Sequence, residues 1–266
     1  MTALAKSLAA FLKASPAAAL VTVAEAKGST PREVGAWMLV SPEKIFGTIG
    51  GGQLEFLAIA KARELIAENI ASGALDIPLG PEIGQCCGGR VAVDIRIAGP
   101  AERAELLIRA ETEDAARPNI YLFGGGHVGH ALAAALALLP VRTIVVETRT
   151  EALENLPDVV EKKLTAVPEE TVRQAPPHSA FVVLTHEHSL DFLIVSEALA
   201  RDDTAYVGMI GSKTKKATFR SWYLKHGGED SRLARLVCPI GGADLRDKRP
   251  AVIAALTAAE VLRALL

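Results

Sequence analysis

The 266-residue sequence is short of aromatic side chains, which make up 5% of it, and holds only three cysteines. It also lacks an excess of charge of either sign, with a formal net charge of −2 and an isoelectric point near 6.3. Each shortage excludes something. Three cysteines cannot build the disulfide framework of a small secreted domain and suit a reducing compartment. The balanced charge offers no basic footprint for nucleic acid and no polybasic signal for a membrane surface. No apolar run can span a bilayer: the longest, "HALAAALALLPVRTIVVE", is interrupted by Pro140 and Arg142. The N-terminal "MTALAKSLAAFLKASPAAAL" is broken by Lys13 and Pro16 before a secretory core could form, and reads as a short amphipathic helix. A cytoplasmic protein is therefore expected, with neither nucleic acid nor membrane as partner.

What is present falls into two halves. Residues 1–100 are strand-rich and punctuated by glycine. "AALVTVAEA" alternates as a strand, "GAWMLVS" and "KIFGTI" read as short strands after the turn "KGSTPREVG", and "RVAVDIRIAG" alternates again. Between them Leu54, Leu57, Ala58, Lys61, Leu65 and Ile66 recur at helical spacing. Residues 101–117 predict a charged linker helix. From Pro118 to residue 266 buried strands alternate with helices, the pattern of a parallel sheet wound in βα units. The expected fold class is thus α/β: a mixed α+β N-terminal domain followed by a Rossmann-like parallel-sheet domain.

The second half opens with "YLFGGGHVGHALAAAL", which fits G-x-G-x-x-G at Gly124, Gly126 and Gly129. The pattern follows a strand, opens a helix, and is answered by Glu147 at the end of the next strand, 21 residues beyond Gly126. That context makes it a dinucleotide fingerprint. The glycines let the backbone approach a pyrophosphate, the helix start offers free N–H groups, and Glu147 would accept from a ribose hydroxyl, or Arg149 meet an extra phosphate. The alternative is a Rossmann-type turn that binds no dinucleotide. His127 inside the loop is either a polar residue facing the crevice or a solvated first-turn residue.

In open α/β sheets ligands sit at the carboxyl ends of strands. Thr185, His186, His188 and Asp191 of "VVLTHEHSLD" belong there. His-x-His with a carboxylate three residues on suits a metal, a hydrogen-bonding ligand, or plain helix capping by Ser189 or His188. In "VGMIGSKTKKATF", Gly211, Ser212 and Lys213 lie at another strand-to-helix turn, with Lys215 and Lys216 close by, and predict a bound anion. Cys238 reads as a small buried residue beside a proline turn.

The first half has its own glycine run, "GTIGGGQLEF". Gly50, Gly51 and Gly52 could cradle an anion with Gln53 and Glu55 at hand, or simply form a tight turn where backbones meet. In "GPEIGQCCGGRVAVDI" two thiols stand side by side among glycines. A structural zinc site is not expected, because adjacent residues point in different directions and no second cysteine pair or close His pair completes four ligands. A buried structural pair or an accessible soft ligand remain, and Arg90 next door would favour the thiolate.

Seven stretches together, "EAKGSTPREVGAWMLV", "GTIGGGQLE", "GQCCGG", "YLFGGGHVG", "THEHSLD", "YVGMIGSKTKKATF" and "CPIG", resemble the xanthine dehydrogenase accessory proteins, the XdhC type of the XdhC/CoxI family. They run in the family's order from about residue 20 to 260. The resemblance implies a molybdenum-cofactor chaperone without turnover activity. It would bind molybdopterin cofactor, protect it while a cysteine desulfurase installs the sulfido ligand, and deliver it to the apo-subunit of xanthine dehydrogenase. It implies Cys87, with Cys86 second, as the metal contact. Gln85, His127, His186 and His188 would then lie beside the pterin, and Gly124, Gly126, Gly129, Glu147, Ser212 and Lys213 would hold the phosphate or an NAD(P)-like nucleotide. The apolar face of residues 250–266 could pack internally or across a homo-oligomer. Two rival functions carry different signatures: an NAD(P)-dependent oxidoreductase resting on the glycine fingerprint with Glu147, and a metal-dependent hydrolase using His186, His188 and Asp191.

Overall fold

The computed structural model describes residues 3–80, 88–242 and 247–266. The chain divides into two compact units, Met1–Ala115 and Ala116–Leu266.

The first unit carries five antiparallel strands: β1 (Ala19–Lys27), β2 (Trp37–Val40), β3 (Ile45–Gly47), β4 (Ser72–Pro78) and β5 (Arg90–Ile97), in the order β3-β2-β1-β5-β4. The alternation in the sequence sets the two faces. Val21 and Val23 of β1 and Val91, Val93 and Ile95 of β5 point to one side, where Leu54, Ala58, Ala62 and Leu65 of α2 (Gly52–Glu68) cover them. On the other side α1 (Ala3–Ala14) and α3 (Pro100–Ala115) pack Leu8, Leu12, Leu106 and Ala110 on Leu39, with Leu20, Trp37 and Phe46 beside them. Arg103 ties α1 to α3 by donating to the carbonyls of Leu12, Ser15, Pro16 and Ala98. The donation to Leu12 satisfies a carbonyl that the end of α1 leaves without a helical partner.

The second unit is a six-stranded parallel sheet of β6 (Asn119–Phe123), β7 (Arg142–Glu147), β8 (Glu161–Leu164), β9 (Ala180–Val183), β10 (Tyr206–Met209) and β11 (Leu236–Val237). Its order is β8-β7-β6-β9-β10-β11. The winding reverses between β6 and β9, the place where doubly wound sheets open a crevice at their carboxyl edge. Helices α4 (His127–Leu136) and α8 (Pro250–Leu265) cover one face. Helices α5 (Pro168–Gln174), α6 (His188–Ala200) and α7 (Lys213–Lys225) cover the other. Every residue of β9 and β10 is buried, which is why these strands read as unbroken apolar runs. The expected fold class, a mixed α+β unit followed by a Rossmann-like unit, is the one observed.

Candidate functional site

The carboxyl edge of the parallel sheet gathers the turns after β6, β7, β9 and β10. After β6 the chain enters the glycine turn. The Gly124 N–H donates to the Val146 carbonyl (3.0 Å), and Gly124 holds φ at +121°, which glycine alone tolerates readily. A side chain there would strike the Leu184 carbonyl, so the turns after β6 and β9 touch backbone to backbone. One at Gly129 would strike the Gly124 carbonyl, and one at Gly125 the Ala152 carbonyl. Gly126 is different: nothing lies within 4 Å of where its Cβ would be. It precedes α4 without any side-chain cap, and His127, the first helical residue, is exposed. The open part of the turn is therefore Gly126–His127.

Glu147 ends β7 with only 4% of its surface exposed. Its carboxylate accepts from Gly125 N (2.9 Å), Thr148 N (2.8 Å), Thr148 Oγ1 (3.2 Å) and Arg149 N (3.2 Å). The Arg149 guanidinium adds Nε at 3.4 Å and Nη2 at 3.1 Å. Burial alone would raise this carboxyl. Hydrogen bonds from Arg149, Gly125 and Thr148 and the arginine's charge outweigh burial and bring it down to about 2. The sequence predicts Glu147 as a ribose acceptor and Arg149 as a free cation; the structure pairs them with each other. A carboxylate has about four lone-pair sites, and six donors already converge on this one. A sequence pattern shows the acid's position but not the donors that fold onto it.

After β9, Thr185 and Asp191 form a closed arrangement. Asp191 is fully buried. Its Oδ1 accepts from Thr185 N (3.0 Å) and Oγ1 (2.7 Å), and its Oδ2 from Lys215 Nζ (2.5 Å). His186 and His188 are exposed. Helix α6 starts at His188 with Glu187 before it, and the Ser189 hydroxyl donates to the Glu187 carboxylate instead of capping the helix. Asp191 is thus committed to a buried ion pair. Among the described residues no group of three His, Cys, Asp or Glu side chains is placed to hold a metal ion. The metal-site reading of His186, His188 and Asp191 finds no supporting geometry there.

After β10, Ser212 caps α7 by accepting from Lys215 N (3.2 Å). The three lysines then part company. Lys215 goes to Asp191, Lys216 donates to the Leu236 carbonyl (2.8 Å), and Lys213 stays exposed with no partner among the described residues. Of the predicted basic cluster, only Lys213 remains for an anion. Cys238 is buried beside this turn, its Sγ 4.0 Å from the Ser212 carbonyl. Burial pushes its thiol up, and Lys215 and Lys216 pull it part of the way back.

In the first unit the glycine turn before α2 holds φ at +124°, +75° and +63° over Gly50, Gly51 and Gly52. Its N–H groups meet Glu55. Oε2 accepts from Thr48 Oγ1 (2.5 Å), Ile49 N (3.1 Å) and Gly51 N (3.1 Å). The anion in this cradle is the chain's own carboxylate. Gln85, Cys86 and Cys87 lie outside the described residues. The chain that follows them is firmly held: Gly88 N donates to the Leu79 carbonyl (2.9 Å), Leu79 N to the Gly89 carbonyl (2.8 Å), and a Cβ on Gly89 would strike the Ser29 carbonyl. Arg90, expected to favour a thiolate, is instead forked onto Asp76 across β4 and β5 at 2.7 and 2.6 Å.

A doubly wound unit with a glycine turn at the switch point, preceded by a small antiparallel domain, defines the class of the molecule. Residues 120–261 match the XdhC Rossmann domain and residues 11–75 the XdhC and CoxI family, and the chain belongs to that family. It is similar to the uncharacterized protein YqeB of Escherichia coli K12, with 25% identity over 254 residues covering 92% of this chain. The chain spans 43% of the length of that relative. A crystal structure described as a xanthine dehydrogenase from Bacillus halodurans shares the fold, with a TM-score of 0.80, 16% identity, and coverage of 99% of this chain and 96% of the other.

Proposed function

We propose that this chain is an accessory protein in xanthine dehydrogenase maturation and carries molybdenum cofactor without turning it over. The observation that carries the reading is the match of both family regions, in chain order, over residues 11–75 and 120–261. The chemistry of the second unit supports the phosphate end. Gly126–His127 is an open helix start without a side-chain cap, and Lys213 is an exposed cation after β10, two strands away from β6 on the same carboxyl edge. His127, His186 and His188 are exposed on the same edge of the sheet and supply ring nitrogens for a hydrogen-bond-rich pterin. Cys87, with Cys86, is the proposed soft contact to molybdenum. A cysteine desulfurase and the apo-subunit of xanthine dehydrogenase are the proposed partners, and a homo-oligomer the proposed assembly.

Retention tests this directly. The purified full chain, incubated with molybdopterin cofactor and desalted, is expected to keep about one molybdenum per chain, and Cys87→Ala to lose most of it. Retention unchanged in the Cys86/Cys87 double alanine variant contradicts the thiol contact. Retention no better than that of serum albumin contradicts the carrier.

A further inference from the structure

A parallel sheet with this strand order and glycine turn ordinarily admits an adenine dinucleotide, whose ribose hydroxyls reach the acid at the end of the second strand. Here that acid is shut off on two sides. Its oxygens are filled by Gly125, Thr148 and Arg149, and it is nearly solvent-free. The short helical turn Glu151–Leu153 lies against the loop: the Ala152 carbonyl touches the backbone of Gly125 and also meets His130 Nε2 at 3.1 Å. The ribose side of the turn is thus sealed by the chain itself, while Gly126 faces open space.

We infer that Glu147, Arg149 and the turn 151–153 form a specificity lock that keeps adenine dinucleotides off the glycine turn. The inference rests on the proposed role of this unit as a phosphate holder and names its selectivity. The lock has two halves of opposite preference. A carboxylate freed of its arginine accepts from a ribose diol, whereas a guanidinium freed of its carboxylate suits a 2′-phosphate. Each half blocks the other.

Calorimetric titration of the full chain with NADH and NADPH tests this. The wild-type chain is expected to show no saturable binding of either up to about 1 mM. The Thr148→Val/Arg149→Ala double variant, which takes three of the six donors off the Glu147 carboxylate, should tighten NADH by about tenfold or more and leave NADPH unchanged, and Glu147→Ala should do the reverse. Glu147→Gln, which keeps the side-chain shape and removes the charge, should move in the same direction as Glu147→Ala and serves if the alanine variant fails to fold. Micromolar binding of either dinucleotide by the wild-type chain overturns the inference, as does a set of folded variants that all remain as indifferent as the wild type. No molybdopterin enters these titrations, so their failure and the failure of the carrier reading are separate results.

Discussion

The two glycine turns of this chain solve one problem by different routes. In the first unit Gly50–Gly52 is closed by Glu55, which belongs to the helix that the turn opens. In the second, the Gly125 N–H is taken by Glu147, which arrives on the neighbouring strand and brings Arg149 with it. The local closure is half-buried and has no arginine partner among the described residues; the tertiary one is buried and arginine-clamped. A glycine run followed by a helix is a ready anion cradle, but in both turns the first claimant is the chain's own carboxylate. Any outside anion must use N–H groups that the glutamate leaves free, and the second unit keeps such an end open at Gly126–His127.

Substitutions can sharpen that contrast, because one tryptophan, Trp37, lies in the first unit and the other, Trp222, in the second. Each can report its own unit's urea transition in a single-tryptophan background. The largest effect is expected within one turn. Gly125→Ala drives a methyl into the Ala152 carbonyl and should cost about 3 kcal/mol, the upper end of overpacking penalties. Gly126→Ala, one residue on and in open space, should stay within ~0.5 kcal/mol. Equal costs at the two positions would break the distinction between the sealed and open ends.

Next in size is Glu147→Gln, at about 2 kcal/mol near neutral pH, from the loss of a buried, arginine-paired carboxylate. The sign follows from the depressed carboxyl. The stabilisation is fully present above the unfolded value of 4.5 and disappears as pH falls toward about 2. Wild-type and variant urea midpoints at Trp222 should therefore differ at pH 7 and converge near pH 2. A gap that persists at low pH would mean that charge is not the source. Gly51→Ala should cost about 1–2 kcal/mol at Trp37 from its left-handed backbone alone, since no atom stands in the way of a methyl. Smaller again is Glu55→Gln, at about 1 kcal/mol or less, because its carboxylate is only half-buried and has no arginine partner among the described residues. A loss as large as that of Glu147→Gln would erase the difference between the local and the tertiary closure.

Much of the architecture is legible in the sequence because β9 and β10 are covered on both faces and leave unbroken apolar runs, and because β5 alternates cleanly and β1 does so as far as Val23, where its pairing with β5 shifts register. Two edge strands escape that reading. β4 contains Gly73 and ends in Pro78, residues that read as a turn, and three of the four residues in β8 are charged; edges tolerate both. The candidate site is legible as positions and not as partnerships. Gly124, Gly126, Gly129 and Lys213 stand out by local spacing. Lys215 meets Asp191 across 24 residues, and Glu147 meets Gly125 across 22. Ala152 shapes the loop through a backbone carbonyl, which its residue type does not announce.

The most direct test of the carrier account is the identity of what copurifies with the intact chain from a molybdenum-replete host. The account predicts pterin and molybdenum in a ratio near one to each other, both lost in the Cys86/Cys87 double alanine variant, with no nicotinamide nucleotide. A bound nicotinamide nucleotide in place of the pterin would contradict it.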